Sequence, residues 1–130
     1  MPLVGGGIWL TDNRIKTTSD KLADAIVSTA IDNRGDVQVV FVGFSKADAE
    51  LFRQAVMRAA PDVPDGVSIV QGDITVPSVH GASAIVNAAN MEVRFGGGLS
   101  RAIGKASEQQ QEIDAEARDA IRQFWRAQAP

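Results

Sequence analysis

Three consecutive glycines stand in front of a helical pattern in the second half of the chain. The glycines are Gly96, Gly97 and Gly98, and the apolar residues that follow at helical spacing are Leu99, Ala102, Ile103 and Ala106. Because glycine has no Cβ atom, backbone N–H groups at this helix start can approach an anion closely, and the helix dipole favours negative charge there. The pattern predicts a phosphate-binding loop, with an ordinary turn as the alternative.

Polar side chains that could contact a ligand end two apolar segments just before these glycines. Asp73 follows the apolar residues 67–71. Asn87 and Asn90 follow the run of residues 84–86, which we expect to form a strand buried on both faces. Asp73 could bind a ligand, form a turn or cap a helix, and Asn87 could bind a ligand or hydrogen-bond the strand end.

The composition suits a single folded domain of residues 1–130 and excludes several kinds of chemistry. With 45% hydrophobic residues, the chain can bury a core. It has no cysteine and one histidine, so it offers no thiolate or multi-histidine metal site and no supported Ser–His–Asp triad. We expect that histidine, His80, to lie on the surface.

Charge and hydropathy bear on partners and location. The net charge is −3 and the pI is about 5.0, so no general attraction to nucleic acid is expected. Any bound anion must therefore be held by local backbone N–H groups. No apolar run reaches membrane-spanning length and no signal-peptide pattern opens the chain, so we expect a soluble cytoplasmic protein without a membrane partner.

Predicted helices and strands alternate along the chain and must position these residues. Helical patterns cover residues 19–33, 45–60 and 109–125, and strand patterns cover residues 37–44 and 67–71. The alternation favours an α/β fold with a mostly parallel sheet covered by helices. We predict that the two strands are parallel neighbours, with the almost continuously apolar residues 37–44 forming a buried central strand.

Each predicted helix has an apolar face that we expect to be buried. Ser19 or Asp20 can cap the first helix, and Asp48 occupies the capping-box position of the second, which starts at Ser45. The expected buried residues are Leu22, Ala23, Ile26, Val27, Ala30 and Ile31 in the first helix, Leu51, Phe52, Ala55, Val56 and Ala59 in the second, and Ile113, Ala117, Ile121, Phe124 and Trp125 in the last.

Three motifs taken together resemble the macrodomain family, whose members bind ADP-ribose and some of which hydrolyse ADP-ribosyl bonds. The motifs are GDIT at residues 72–75, AIVNAAN at residues 84–90 and the triple glycine of residues 96–98 that opens a helix. The combination is much more specific than a glycine-rich loop alone. ADP-ribose is therefore the ligand that the resemblance implies.

The resemblance also implies roles for individual residues. Asp73 would accept a hydrogen bond from the adenine amino group, with the Ile74 backbone beside it. Asn87 and Asn90 would contact the ligand, with Asn90 at the distal ribose. The diphosphate or the distal ribose would be lined by backbone N–H groups of Gly96, Gly97, Gly98 and Leu99.

The order of the elements resembles a macrodomain whose chain is circularly permuted, which implies a three-layer α/β/α fold. PLVGGGIW at residues 2–9 resembles the family's late phosphate loop, and residues 19–60 resemble the elements that follow it. A second phosphate cradle, facing the first across a crevice, would then come from Gly5, Gly6, Gly7 and Ile8. Trp9 would stack near the distal ribose and Phe44 would lie near adenine, with a place in the core as the alternative for both.

The permuted order has consequences for the edges of the sheet. We expect residues 84–86 to lie in the same sheet, beside a short strand of residues 2–4. The strand pair that usually follows the GGG helix is missing or reduced to residues 109–125. We therefore expect an exposed edge beyond residues 84–86, covered by the last helix or by a second copy in a homodimer.

Three functions remain open at this point. A module that binds ADP-ribose or a mono-ADP-ribosylated protein, without a metal or other cofactor, is favoured. A hydrolase of ADP-ribosyl or O-acetyl-ADP-ribose bonds is the alternative, with Asn90 as its candidate catalytic residue. Ser100 and Gly104 stand where many hydrolytic relatives carry an acidic residue and a histidine, and serine cannot act as a carboxylate base. A ligand-free structural or assembly domain is the third.

Overall fold

Helices alternate with the strands of a parallel sheet in the computed structural model, which describes residues 1–2, 17–88 and 95–127. The elements are α1 (Ser19–Asn33), β1 (Val39–Gly43), α2 (Lys46–Ala59), β2 (Val67–Gln71), α3 (Pro77–His80), α4 (Gly98–Ser107) and α5 (Gln110–Ala127). The predicted α/β class is confirmed. The three-layer arrangement, the permuted order and the single domain of residues 1–130 stay predictions.

The chain divides into two compact units, Met1–Val86 and Asn87–Pro130, here called unit 1 and unit 2. Unit 1 contains the sheet with α1, α2 and α3, and unit 2 contains α4 and α5. Some of the predicted ligand contacts in the described residues belong to unit 1 and the others belong to unit 2. Phe44, Asp73 and Ile74 lie in unit 1, whereas Asn87, the triple glycine and Leu99 lie in unit 2.

α1 begins and ends at the predicted residues, and both ends are fixed by capping residues close in sequence. The Lys21 N–H donates to Thr18 Oγ1 at 3.4 Å, so the cap is Thr18 rather than Ser19 or Asp20. The helix ends just before Gly35, whose φ of +55° lies in the left-handed region that glycine adopts readily.

The two strands are parallel neighbours, as predicted, and are in register over all five residues of each. β1 is shorter than the predicted residues 37–44. Val37 donates its N–H to the Arg34 carbonyl at 3.0 Å in the turn after α1, and Phe44 lies beyond the paired register. Phe41 and Val42 are buried, which confirms burial for the middle of the predicted strand.

β1 has a second hydrogen-bonding neighbour on the edge away from β2. The Met1 amino group donates to the Val40 carbonyl, and the Val42 N–H donates to the Met1 carbonyl at 2.8 Å. These two bonds form a parallel pairing of Met1 opposite Phe41. Burial lowers the pKa of the Met1 amino group to about 6. Residues 3 and 4 of the strand predicted over residues 2–4 lie outside the described residues.

The core of unit 1 is formed by β1, α1 and α2. Phe41 and Phe52 are fully buried and stack with ring centroids 5.2 Å apart. The other buried members of this cluster are Ala23, Val27, Ala55 and Val56, all of which the apolar faces of the helices predict. Ala59 is exposed in the last turn of α2, so the prediction that it is buried is wrong.

The predicted capping box starts α2. The Asp48 N–H donates to Ser45 Oγ at 3.1 Å, and the Ser45 N–H donates to Asp48 Oδ2 at 3.0 Å. The preceding strand ends in Gly43, where a Cβ atom would lie 2.2 Å from the Ala49 backbone nitrogen. Glycine is therefore required for α2 to begin this close to the end of β1.

The strand predicted over residues 84–86 does not form, and the prediction of burial on both faces is also wrong. Ile85 is 40% exposed and Val86 is 43% exposed. A strand needs a hydrogen-bonding neighbour, and in the described part of the sheet neither β1 nor β2 pairs with residues 84–86. The sheet edge expected beyond these residues disappears with the strand, while the homodimer stays a prediction.

Unit 2 packs α4 beside α5. Gly104 of α4 faces the Phe95 side chain, which a Cβ atom at this glycine would approach to 2.7 Å. The Phe95 N–H donates to Asp114 Oδ1 at 3.1 Å. This hydrogen bond ties the segment before α4 to α5.

The helix predicted over residues 109–125 is confirmed as α5, but the predicted burial of its apolar face is wrong. Ala117 and Ile121 are half-buried, and the exposed members of the face are Ile113, Phe124 and Trp125. In the described part of unit 2, a ten-residue α4 lies beside an α5 of 18 residues, so it covers only part of that face.

Candidate functional site

The carboxyl ends of β1 and β2 lie at the same edge of the sheet because the strands are parallel. Phe44 follows β1 at this edge, and Gly72 and Asp73 follow β2. The Gly72 N–H donates to the Gly43 carbonyl at 2.9 Å, which continues the pairing to the end of the strands. Phe44 is 76% exposed, so the alternative that places its ring in the core is wrong.

Asp73 forms a turn with Thr75. Its Oδ1 accepts hydrogen bonds from the Thr75 N–H and the Thr75 hydroxyl, both at 2.8 Å. These bonds, the backbone one first, lower the pKa of the Asp73 carboxyl below its usual 3.8. In the described residues no hydrogen bond reaches Oδ2 of this exposed side chain. One carboxylate oxygen is thus held by the turn, and the other can accept from a ligand.

His80 holds the loop after β2 through two backbone groups. The Ala82 N–H donates to Nδ1 at 3.0 Å, so the ring proton is on Nε2, which donates to the carbonyl of the buried Ile74 at 3.0 Å. His80 is half-buried rather than fully exposed at the surface, and the prediction of a surface position did not include its two backbone contacts. The available signal was Pro77 and Gly81, which begin and end the four-residue α3 and place His80 in a tight turn.

Asn87 and Ser100 form a partly buried polar pair in unit 2. Asn87 Nδ2 donates to Ser100 Oγ at 3.2 Å, and Ser100 is only 5% exposed. The other amide atom, Asn87 Oδ1, is buried and has no hydrogen-bond partner in the described chain. Turning the amide over would let Ser100 donate to Oδ1 but would leave Nδ2 without an acceptor. Since residues 84–86 form no strand, the alternative role of Asn87 at a strand end is excluded.

The burial of Ser100 was missed by reasoning from the sequence, which treated this residue only as a replacement for an acid. The buried residues of α4 are Ser100, Ile103 and Gly104. The second and third lie three and four positions after the first. That spacing is the inner face of a helix. Helical periodicity alone could therefore have placed the Ser100 hydroxyl inside unit 2.

The first turn of α4 begins without a side-chain cap. Gly97 is the N-cap residue, and Gly98 has a φ of +57°, which favours glycine. A Cβ atom at Gly97 would meet nothing within 4 Å in the part of the chain that the structure describes. Arg101 Nε donates to the Gly96 carbonyl at 3.4 Å, so a cation lies beside the loop. In the described residues, N–H groups without a side-chain cap, open space and a neighbouring guanidinium together suit an anion.

Several predicted contacts lie outside the described residues. They are Gly5, Gly6, Gly7, Ile8, Trp9 and Asn90. The crevice between the two glycine loops and the catalytic role of Asn90 therefore stay predictions. Leu99, the last predicted contact, is half-buried in the first turn of α4.

An open depression of about 440 Å³ lies over the turn between α4 and α5. Its lining consists of Gly104, Lys105, Glu108, Gln109, Gln110, Gln111 and Glu112. It includes none of the residues predicted to contact a ligand, and its charged side chains are exposed and of mixed sign. The candidate sites are therefore the start of α4 with Asn87 in unit 2 and, described by itself, the strand-end edge of unit 1, and not this depression.

Among residues 1–2, 17–88 and 95–127, no group of three or more His, Cys, Asp and Glu side chains could hold a metal ion. No helix in these ranges is long and apolar enough to cross a membrane. Comparison with protein-family models, curated proteins and solved structures finds no match to this chain.

Proposed function

We propose that this chain binds ADP-ribose, either free or attached to a mono-ADP-ribosylated protein. The observation that carries the proposal is the buried Asn87 Oδ1, which has no hydrogen-bond partner among the described residues and belongs to the same unit as the glycine-rich start of α4. The GDIT, AIVNAAN and GGG motifs, which resemble those of macrodomains, support the choice of ligand.

A sugar hydroxyl is the group that Asn87 Oδ1 would accept from. A buried acceptor left unpaired costs roughly 1–3 kcal/mol, so a ligand that brings a donor removes this cost. Ser100 already occupies the NH₂ end of the amide at 3.2 Å. The carbonyl end is consequently the end offered to the ligand, and the ribose hydroxyls of ADP-ribose are suitable donors.

The diphosphate is assigned to the first turn of α4. Its N–H groups begin at Gly97 and Gly98 without a side-chain cap. The helix dipole and the Arg101 guanidinium beside Gly96 favour negative charge at this point. The overall charge of −3 opposes anion binding, so these local groups have to supply the attraction.

By the resemblance, unit 1 taken by itself offers a contact for adenine at Asp73 and Phe44. The turn with Thr75 holds one carboxylate oxygen and lowers the pKa of Asp73 below a usual value at which the carboxylate is already ionised at neutral pH. Its second oxygen can accept from an exocyclic amino group. The exposed Phe44 ring, which follows the neighbouring strand, supplies an aromatic surface.

Hydrolysis of an ADP-ribosyl bond is the second candidate, and binding is preferred over it. Ser100 Oγ accepts from Asn87 and is 5% exposed, so it is neither free nor open to a water molecule that it could activate.

A ligand-free structural domain is the third candidate. The unpaired acceptor at Asn87 counts against it, because buried polar groups in native proteins generally have partners.

Isothermal titration calorimetry of the full chain with ADP-ribose tests the proposal. We expect saturable binding that Asn87→Ala weakens by roughly 1–3 kcal/mol, while Asn33→Ala, on the exposed end of α1, leaves it unchanged. Gly97→Val should also prevent binding without loss of stability, because its side chain would occupy open space where the phosphates are assigned. Absence of binding by the unmodified chain at millimolar ADP-ribose would refute the proposal.

The adenine assignment has its own test. Asp73→Ala should weaken ADP-ribose binding by roughly 1.5–3 kcal/mol, the loss of one charge-assisted hydrogen bond, and should leave binding of ribose 5-phosphate unchanged. Asp65→Ala, another exposed carboxylate of unit 1, is the matched control. Equal ADP-ribose affinity of Asp73→Ala and the unmodified chain would show that adenine lies elsewhere.

A further inference from the structure

The loop after β2 in unit 1, residues 72–82, is closed by the two ring nitrogens of His80. Nε2 donates to the Ile74 carbonyl at 3.0 Å, and Nδ1 accepts the Ala82 N–H at 3.0 Å. The first bond reaches back over six residues and the second reaches forward over two. A ring turned over would place carbon atoms at both positions, so both bonds require this orientation of the imidazole. His80 therefore joins the beginning of the loop to its end.

The bond to Ala82 requires a neutral imidazole. A backbone N–H can only donate, so Nδ1 must be without a proton, whereas both nitrogens of an imidazolium carry one. In the charged ring, Nδ1–H and the Ala82 N–H would be two donors facing each other. Either the ring or the Gly81–Ala82 peptide must then turn. Gly81 has a φ of +62°, and glycine changes its conformation at little steric cost. Protonation of Nδ1 consequently opens the end of the loop.

The surroundings of the ring were searched for other groups that could titrate with it. In the described part of the chain, α3 packs against β2. Neither the Val67–Gln71 strand nor residues 77–79 of α3 contain an ionisable side chain. Asp73 is the titratable residue at the start of the loop, and its Oδ1 is held by Thr75. Because the pKa of Asp73 is lowered from 3.8, this carboxylate stays charged while an imidazole takes up its proton.

One other group takes up a proton in the same pH range. An imidazole changes charge between about pH 8 and pH 5, and His80 is the single histidine of a chain without cysteine. Burial lowers the pKa of the Met1 amino group to about 6, inside that range. Met1 pairs with β1 on the edge away from β2. A substitution of His80 therefore separates the two titrations.

We propose that His80 is an acid-sensitive switch of this loop: the neutral ring holds the loop closed, and the protonated ring opens it. The switch follows from the fold of unit 1 alone. Its effect on a ligand rests on the proposed function. Ile74, which His80 holds, directly follows Asp73, the residue that would contact adenine by the resemblance. Opening of the loop in acid therefore loosens that contact and weakens ADP-ribose binding.

¹⁵N-resolved NMR of the full chain tests the switch without a ligand. At the alkaline end of the range, the ring ¹⁵N shifts should show the tautomer with the proton on Nε2. On acidification, the Ala82 amide signal should move with the same midpoint as the His80 ring. A proton on Nδ1 at the alkaline end, or an Ala82 signal that does not follow the ring, would overturn the switch.

His80→Asn is the matched variant. Its Oδ1 can accept the Ala82 N–H two residues ahead, as asparagine does in turns, but the amide does not titrate. The Ala82 signal of this variant should therefore stay constant over the pH range. The Met1 amino group still titrates in it, so any signals that continue to move report Met1. An Ala82 signal that moves equally in His80→Asn and the unmodified chain would mean that another group controls the loop.

Calorimetry with ADP-ribose at both ends of the pH range tests the effect on binding. The unmodified chain should bind roughly tenfold more weakly at the acidic end, the equivalent of about one hydrogen bond. His80→Asn should bind with the same affinity at both ends. A constant affinity of the unmodified chain, or an equal loss in His80→Asn, would overturn the regulation of binding. If the NMR switch is present but the unmodified chain binds no ADP-ribose at either end, the switch stands and the proposed function is refuted.

Discussion

α2 and α5 are both amphipathic helices with an aromatic residue on the apolar face, but only α2 buries it. Phe52 of α2 is fully buried against Phe41, whereas Phe124 of α5 is 56% exposed and contacts Trp125 edge to face. α2 packs against α1, β1 and β2, while α5 packs against α4 in the described part of unit 2. The spacing of apolar residues therefore specifies which face is apolar, and the number of neighbouring elements decides whether that face is buried.

The two units also differ in whether their polar side chains have hydrogen-bond partners. In unit 1, Asp48 and Ser45 satisfy each other at the start of α2, and His80 bonds two backbone groups. In the described part of unit 2, Asn87 Oδ1 is buried and has no hydrogen-bond partner. The polar side chains named in unit 1 are therefore satisfied within the fold, whereas Asn87 in unit 2 offers an acceptor that a ligand could use.

The largest expected effect separates the two aromatic residues. Phe52→Ala should lower the free energy of unfolding by roughly 3–5 kcal/mol, because it leaves a cavity beside Phe41. Phe124→Ala should change it by less than about 0.5 kcal/mol, as expected for an exposed site. Urea unfolding followed by circular dichroism measures both. Similar losses in the two variants would break the comparison and mean that the α5 face is covered in solution.

A smaller effect is expected at the two close-packed glycines. Gly43→Ala would place a Cβ atom 2.2 Å from the Ala49 backbone, which cannot move without shifting α2, so a loss of roughly 1–3 kcal/mol is expected. Gly104→Ala would place one 2.7 Å from the Phe95 side chain. Because a side chain can yield where a backbone cannot, its loss should be smaller. Chemical denaturation measures the free energy of unfolding of both variants. A larger loss in Gly104→Ala than in Gly43→Ala would contradict rigid packing between β1 and α2.

The smallest effect concerns the Asp73 turn at low pH. Because the folded-state pKa of Asp73 is lowered, its contribution to stability is present above the usual 3.8 and is lost as the pH falls through the folded value. Thr75→Val removes the hydroxyl bond and keeps the backbone bond, which is the larger cause. NMR titration should show the Asp73 pKa rising but staying below 3.8. The control Thr29→Val, on α1, should leave the Asp73 pKa unchanged. An unchanged Asp73 pKa in Thr75→Val would mean that groups other than the Thr75 hydroxyl hold the turn.

Much of unit 1 could be predicted because its signals are local or come from the alternation of elements. The bounds of α1, the capping box at Ser45 and the range of β2 all follow from residues close in sequence. The parallel pairing of β1 and β2 follows from a helical crossover of suitable length. The motif residues Asp73 and Asn87 could likewise be named from the sequence, although not the partners they contact.

The sequence by itself determined where helices form and which of their faces are apolar, since periodicity, caps and glycines act over a few residues. Only the tertiary structure decided that residues 84–86 form no strand and that the apolar face of α5 stays exposed, because pairing and burial require neighbours distant in sequence. It also decided that Ser100 meets Asn87. A hydrogen bond across 13 residues depends on how α4 is packed, and no local pattern specifies that.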